Sequence, residues 1–418
     1  MRAYTVTAAL ALLAPAATAQ SVSYSATSDL EFYTGTRTEQ PTRQTGPPTG
    51  PYQSYGSKIT LTGQNSSTTA RTSTGTLTTG ANFTTTTSAA PTNTQPCNNY
   101  VEFCTRKYSN ITNVGCHNSP FVRPGNSGSN QAVDVITQLN DGVRFLQGQI
   151  QWPANGSVPH FCHTSCDLLD AGPIYEWLGK VAGWVDQHPY DVVTILLGNG
   201  NYSDPSLYVP FIEQSGITKY VYTPPFLPMS LNDWPSLEEM IIGGKRVVMF
   251  LDYQANQTKY PWLMDEFGQA WETPFDPMDK SFPCTVQRPP DLPKEAARDR
   301  LYIMNHNLNV EFKVFGVSLL VPAVSLLNET LAATGNLSVG LAANNCRSDW
   351  GRAPNVLNVD YYNYGDPPCS VFAAAAAVNN VTYDRSRPCG KASVASILVA
   401  KSLWISFVTM IVAGIWLL

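Results

Sequence analysis

The middle of the chain, roughly residues 97–385, is predicted to form an α/β domain in which helices cover a parallel sheet. Three observations lead there. Val192-Val193-Thr194-Ile195-Leu196-Leu197 and Val247-Val248-Met249-Phe250-Leu251 are β-branched apolar runs with polar ends, as expected of strands buried on both faces. Helical stretches alternate with runs of this kind, which favours parallel strands joined by crossover helices. The whole segment spans roughly 290 residues, a length that suits a closed eight-stranded barrel or a doubly wound sheet.

Residues 1–19 carry Arg2, an apolar stretch over 8–16 and the small-x-small site Ala17-Thr18-Ala19, the layout of a secretory signal peptide. Residues 20–96 are rich in Ser, Thr, Gly and Pro, with no charged side chain from Thr72 to Val101. Such a segment buries too little apolar surface to offset its chain entropy and reads as an O-glycosylated stalk, with a short strand near 58–62 allowed. Within the domain the spacing predicts strands over 111–117, 142–151, 191–199, 245–253, 301–306 and 354–360, and helices over 174–187, 237–242, 325–333 and 371–378. Residues 386–401 form a spacer in which Gly390, Ala392 and Ser393 are candidate attachment positions. The uncharged tail 402–418 completes the pattern of a glycosylphosphatidylinositol (GPI) attachment signal, with a retained transmembrane anchor as the alternative.

The termini account for the composition. Only 14% of the 418 residues are charged, and the net charge of −5 provides no basic face, which excludes a nucleic-acid binder. Nine Asn-x-Ser/Thr sequons, at Asn65, Asn82, Asn110, Asn155, Asn201, Asn256, Asn328, Asn336 and Asn380, point to a glycosylating export route and a place at the cell surface. The 9 cysteines fit an oxidising compartment, and their odd number leaves at least one without an internal partner. A metal reading of Cys116-His117 and Cys162-His163 competes with disulfides, but the spacings of zinc sites are missing. No protein partner is predicted.

In such folds chemistry is built at the C-terminal ends of the strands. His117-Asn118, Asn199, Asp252, His306 and Asp360 close predicted strands, Gln147 and Gln149 project from the second, and His163 follows a third. Gln147 and Gln149 are two apart and share one face. Two histidines so placed suit cleavage of a phosphodiester: one accepts a proton from an attacking hydroxyl and the other donates one to the leaving alkoxide. The bland alternative for His117 is a hydrogen-bonded core histidine.

Gly115-Cys116-His117-Asn118-Ser119-Pro120-Phe121, Gly142-Val143-Arg144-Phe145-Leu146-Gln147, Cys162-His163-Thr164-Ser165-Cys166 and Val359-Asp360-Tyr361-Tyr362 resemble fungal secreted PLC-like phosphodiesterases. These are relatives of the phosphatidylinositol-specific phospholipase C X-domain, a TIM barrel. The resemblance implies a single (β/α)8-type barrel, His117 and His163 as acid/base pair, Asp360 as support of the first histidine, and Asn118 beside the phosphate. Gln147, Gln149, Asn199 and Asp252 are the remaining candidates for substrate contact. The substrate implied is a phospholipid or GPI-type phosphodiester, with attack by a neighbouring hydroxyl on phosphorus.

Two departures stand out. Calcium-dependent relatives carry acidic ligands on the second strand and calcium-independent ones an arginine. Here Gln147 and Gln149 stand instead, so no cofactor is expected and calcium is disfavoured. Arg144 has the opposite strand parity and is expected to point outward. The second is Cys116, where relatives carry Ala or Thr, which marks it as the odd thiol and leaves eight cysteines for up to four disulfides, Cys162–Cys166 among the candidates. A nucleophilic Cys116 is disfavoured because strand neighbours face opposite ways. His160 reads as a loop residue and His188 as a helix exit. Two further readings compete: a catalytically weak surface protein that binds through the barrel cleft, and a metal-dependent glycerophosphodiesterase-like barrel, whose paired acidic motif is missing.

Overall fold

The computed structural model describes residues 50–61, 94–314 and 317–390, with side chains described except at 312–319. The expected signal peptide, the tail and most of the stalk lie outside the described residues.

Eight strands run in parallel: β1 (Asn113–Cys116), β2 (Phe145–Gln151), β3 (Val193–Gly198), β4 (Val247–Leu251), β5 (Leu263–Asp265), β6 (Ala270–Glu272), β7 (Leu301–Asn305) and β8 (Val356–Val359). Their hydrogen-bonded order is β6-β7-β8-β1-β2-β3-β4-β5. This is a curled (β/α)8-type barrel, open between β5 and β6, where the single turn Glu266–Gln269 intervenes and no ladder is formed among the described residues. Every residue of β3 and β4 is buried, as their unbroken apolar runs require. Six of the strands fall in the predicted windows. The other two, β5 and β6, have three residues each, too few for a period to show.

Around the sheet lie α1 (Val135–Asp141), α2 (Ile174–Gln187), α3 (Val209–Gln214), α4 (Leu237–Ile242), α5 (Lys294–Arg298), α6 (Val339–Trp350) and α7 (Ser370–Asn379). The stripe Ile174, Trp177, Leu178, Val181, Trp184 and Val185 faces the sheet from α2, each such aliphatic side chain contributing about 1.5–3 kcal/mol. Ser236 and Glu239 form a capping box that starts α4. The predicted helix over 325–333 is instead a 3-10 turn, Val324–Leu326, followed by one helical turn, Leu327–Thr330. α6 was not predicted. Its sequence has little amphipathic pattern, and its ends are set by the Ser338 side chain, which accepts from Leu341 N, and by Gly351 in the left-handed region.

Residues 50–61 lie within the predicted stalk, yet they pack on the barrel. Ile59–Thr60 pairs with Phe226–Leu227, Gln53 Nε2 donates to Ala255 O (2.8 Å), and the Tyr52 ring meets Phe267 at 4.8 Å. The tyrosines supply contact area that Ser and Thr lack, and Ile59–Thr60 is the short strand the sequence allowed near 58–62. Four disulfides link Cys97–Cys104, Cys162–Cys166, Cys284–Cys346 and Cys369–Cys389, and Cys116 remains a buried thiol. Of the sequon asparagines, Asn110, Asn155, Asn201, Asn256, Asn328, Asn336 and Asn380 lie in described residues, and all are exposed.

Gly115 on β1 lets two strands touch across it. A Cβ there would stand 2.7 Å from Val356 Cγ1 and 2.8 Å from the Phe145 ring, and 3.3 Å from Asn358 Oδ1. Asn358 on β8 thereby reaches over β1 to donate to Gln147 Oε1 on β2 at 2.8 Å. Gly115→Ala is expected to destabilise the fold by about 1–3 kcal/mol through overpacking, measured by thermal unfolding. An unchanged midpoint would show that the neighbours give way freely.

Candidate active site

The ladder between β8 and β1 builds the first half of the site. Val359 pairs with Cys116, so the residues that follow, Asp360 and His117, leave the barrel side by side. His117 N donates to Val359 O at 2.9 Å, and Gln131 Nε2 donates to both His117 O and Val359 O. His117 Nδ1 then faces Asp360 Oδ1 at 2.8 Å, with both side chains buried. Nδ1–H donates in this pair, so Nε2 is the nitrogen left for proton exchange. Asn130 Nδ2 donates to the same Asp360 oxygen at 3.0 Å, and Asn130 Oδ1 accepts from Asn118 Nδ2 at 3.2 Å. Asn118 takes a left-handed φ of 49° and its Oδ1 is buried with no partner among the described residues, leaving an unused acceptor beside His117.

The second histidine comes from outside the barrel ladder. His160–Cys162 forms an antiparallel ribbon with the far end of β2 and with Asp170–Pro173, and His163 follows it. It therefore does not close a barrel strand, as the sequence had suggested. The Cys162–Cys166 disulfide brackets it, and its ring lies 5.2 Å from that of Phe121. Gly128 leaves it room: a Cβ there would come within 3.1 Å of His163 Nδ1. The segment from Asn118 to Asn130 thus touches both histidines. His160 is a ribbon residue paired with Asp170 at 2.9 Å, not a free loop residue.

Charge separates the two imidazoles. For His117 burial works against the proton, but Asp360, by charge and by hydrogen bond, and then Asp276 and Glu272 outweigh it, so its pKa rises. For His163 burial and then the positive charge on His117 act together, and its pKa falls. His163 keeps part of its surface open. Where the pair holds a single proton, that proton belongs on His117.

The other predicted residues belong to a polar belt around the strand ends. Gln147 is buried, with Oε1 occupied by Asn358, whose Nδ2 also donates to Asn305 Oδ1 at 3.0 Å. Asn305 Nδ2 approaches Glu272 Oε2 at 3.4 Å. Arg288, absent from the sequence-based candidates, bonds Glu272 Oε2 at 2.9 Å through Nη1 and Asp252 Oδ2 at 3.2 Å through Nη2. Asp252 Oδ1 accepts from Asn199 N at 2.6 Å. Asn199 spends its side chain on Ser203, Tyr253 and Tyr208, so it frames the loop after β3 and has no amide group left for a ligand. Gln149 is half-buried and lies over Gly198, its register partner on β3. Arg144 points outward, to Asp191 and the Trp184 ring. His306 is a core residue, stacked on Phe282 and pushed down to about 4 by burial.

Arg288 is the cation the sequence did not reveal. Its guanidinium is buried and lies 4.4 Å from the Phe275 ring and 4.9 Å from that of Phe267. Asp252 is raised to about 6, chiefly by burial, with Arg288 opposing. Glu266 is raised well above the usual carboxylate range by burial and by Glu272. Half-buried Asp276 feels both His117 and Arg288, and it links the histidine side electrostatically with the belt. No motif marked Arg288, Glu266 or Asp276. Arg288 precedes two prolines in a loop, and only its placement opposite Glu272 by a local bridge gives it meaning.

Residues 103–378 match a family model described as PI-PLC X 1. A protein of Arthroderma benhamiae named "Uncharacterized secreted protein" is 52% identical over 301 residues, covering 72% of this chain and 67% of that one. From the same fungus, "PI-PLC X domain-containing protein 1" is 41% identical over 272 residues, covering 65% and 86%. Among solved structures, phosphatidylinositol-specific phospholipase C from Listeria monocytogenes is similar at a TM-score of 0.42 and 12% identity, covering 67% of this chain and 96% of that one.

Removing one member of a buried ion cluster leaves the others uncompensated. Arg288→Met is expected to destabilise the protein by about 3–5 kcal/mol in denaturant unfolding, more than a surface arginine such as Arg298. Equal losses for the two variants would show that the belt does not depend on its cation.

Proposed function

This chain belongs to the PI-PLC X family, and from that premise we propose that it is a phosphoric diester hydrolase acting on a phospholipid or GPI-type substrate with His117 and His163 as its acid/base pair. The observation that carries this reading is the buried Asp360–His117 dyad at the barrel mouth, with a second histidine close enough for the two charges to interact. Asp360 fixes the imidazole and stabilises the imidazolium, which makes His117 the stronger base. A hydroxyl next to the phosphodiester attacks phosphorus; its O–P bond forms as the P–O bond to the lipid alkoxide breaks. In the complex the phosphate's negative charge offsets the burial that keeps His163 neutral, and the pair's one proton passes from His117 to His163; His117 then takes the proton of the attacking hydroxyl, and His163 delivers its own to the leaving oxygen. Asn118 lies beside the position of the phosphate.

The residues present do not fit a calcium site. Gln147 Oε1 is already bonded to Asn358, and among the described residues no three His, Cys, Asp or Glu side chains are grouped to hold a metal ion. Catalysis is therefore read as metal-free. The second reading, a surface protein that binds such lipids without turnover, draws on the same belt: Arg288 is committed to Glu272 and Asp252, and the amides contribute no charge. Export to the outer face of the cell is supported by the exposed sequons and the four disulfides. Attachment by the C-terminal tail rests on sequence, and no helix among the described residues is long and apolar enough to cross a membrane.

His117→Ala and His163→Ala should each lower turnover of a radiolabelled phosphoinositide by at least about a hundredfold when assayed below their unfolding midpoints, that of the His117 variant being lower than the parent's because Asp360 loses its buried partner, and a chelator should leave the parent rate unchanged. Full activity of the His117 variant would refute the assignment, whereas lipid binding without turnover in the parent would favour the second reading. The active pair carries one proton, so kcat/KM falls on the alkaline side as His117 loses it. Asp360→Asn removes the charge that holds this proton. The alkaline limb should then move to lower pH, by about one unit or more, and the maximum rate should drop.

A further inference from the structure

The opposite end of the barrel carries a polar cavity of about 740 Å³, with no part in the chemistry proposed above. It opens where β1 and β8 begin: Thr112 and Asn355 line it and directly precede those strands, while His117 and Asp360 follow their far ends. Four cationic side chains face it, Arg106, Lys107, Arg347 and Arg352, and no lining residue is acidic. This is a local concentration of positive charge in a chain whose net charge is −5.

These charges are not neutralised by carboxylates. Arg106 Nη1 donates to Asn379 O at 2.7 Å, and Lys107 Nζ donates to Asn232 O and Trp234 O at 2.8 and 3.0 Å. Arg352 donates to Arg300 O and, at 3.0 Å, to Asn355 Oδ1. Its Nε is buried with no partner, and the guanidinium is held over the Tyr302 ring at 4.5 Å. Carbonyl partners orient a cation without cancelling its charge. Arg347 is exposed on α6 and makes no hydrogen bond or ion pair among the described residues. Asp299, whose charge reaches Arg352, accepts from Leu231 N at 3.0 Å and does not line the cavity.

From these residues we infer a second ligand site, specific for a phosphate monoester borne on a polar body such as a sugar. The guanidinium and ammonium donors match phosphate oxygens, and the volume far exceeds what a bare phosphate needs. Thr105 and Asn232, exposed on the rim and without a side-chain hydrogen bond among the described residues, supply neutral donors and acceptors for the polyol. The same headgroup chemistry is displayed by a soluble sugar phosphate and by a lipid with a terminal phosphate monoester. Asn110, a sequon residue, stands on the rim, so binding is measured on glycosylated and endoglycosidase-treated full chain alike.

The test uses isothermal titration with glucose 6-phosphate and flotation with phosphatidylcholine vesicles with or without phosphatidic acid. Glucose 6-phosphate is expected to bind the parent and His163→Ala equally, and Arg347→Glu to weaken binding about tenfold or more while phosphodiesterase activity stays unchanged. Arg347→Gln, which only removes the charge, should fall between them. Flotation with phosphatidic acid that is lost in Arg347→Glu would identify the lipid as the source, and titration alone would identify the soluble ester; either supports the site. Absence of both, or affinity that follows His163 in place of Arg347, overturns it.

Discussion

One buried guanidinium, that of Arg288, holds the mouth of this barrel together. Glu272 ends β6 and Asp252 follows β4, on opposite sides of the gap between β5 and β6, and Arg288 bonds both. Hydrogen bonds cross this gap where the ladder does not. Two carboxylates taken out of water at this place would repel each other and lose their hydration. The cation between them, with the Tyr253 hydroxyl as a further partner at 3.0 Å, makes the arrangement tolerable. From Glu272 the chain of contacts runs on through Asn305 and Asn358 to Gln147, so the strand ends form one connected polar layer above an apolar interior.

That layer gives the histidine side its electrostatic setting. The charge of Asp276 acts on His117 as well as on Arg288, and Glu272 adds to the field that keeps a proton on His117. The two imidazoles are moved in opposite directions by different means: a paired carboxylate for one, burial without a partner at Nδ1 for the other. Groups whose basicities are driven apart by their surroundings are suited to opposite proton-transfer roles. The same belt occupies residues that a first reading would assign to ligands. Asn199 spends its amide on a loop, and Gln147 and Asp252 are linked to other strands.

The legible part of the fold was whatever repeats or ends sharply. The unbroken apolar runs of β3 and β4 and the stripe on α2 gave their positions directly, because burial on two faces or on one leaves a period in the sequence. β5, β6 and α6 left no such trace; three-residue strands have no period, and α6 owes its limits to Ser338 and Gly351. Likewise His117, Asn118 and His163 stood out in short motifs, whereas Asn130 and Arg288 belong to loops whose residues gain a role only through distant partners. Residues 50–61 show the same limit from the other direction: in composition they blend into a Ser/Thr-rich stretch, and only Tyr52, Gln53 and Tyr55 meeting Phe267, Ala255 and Asp265 make them part of the domain.

By itself the sequence determined the class of fold and the family, and it singled out the two histidines with their candidate carboxylate, because each is written in local pattern or contiguous motif. Only the tertiary structure decided which polar residues remain available. The register that sets Val359 beside Cys116 brings Asp360 to His117, and the missing side chain of Gly115 lets Asn358 occupy Gln147. The Arg288 pairing, made between residues far apart in the chain, determines which carboxylates are neutralised. Hydrogen-bond capacity and charge are shared among spatial neighbours, and which residues are neighbours is settled only when the barrel has curled.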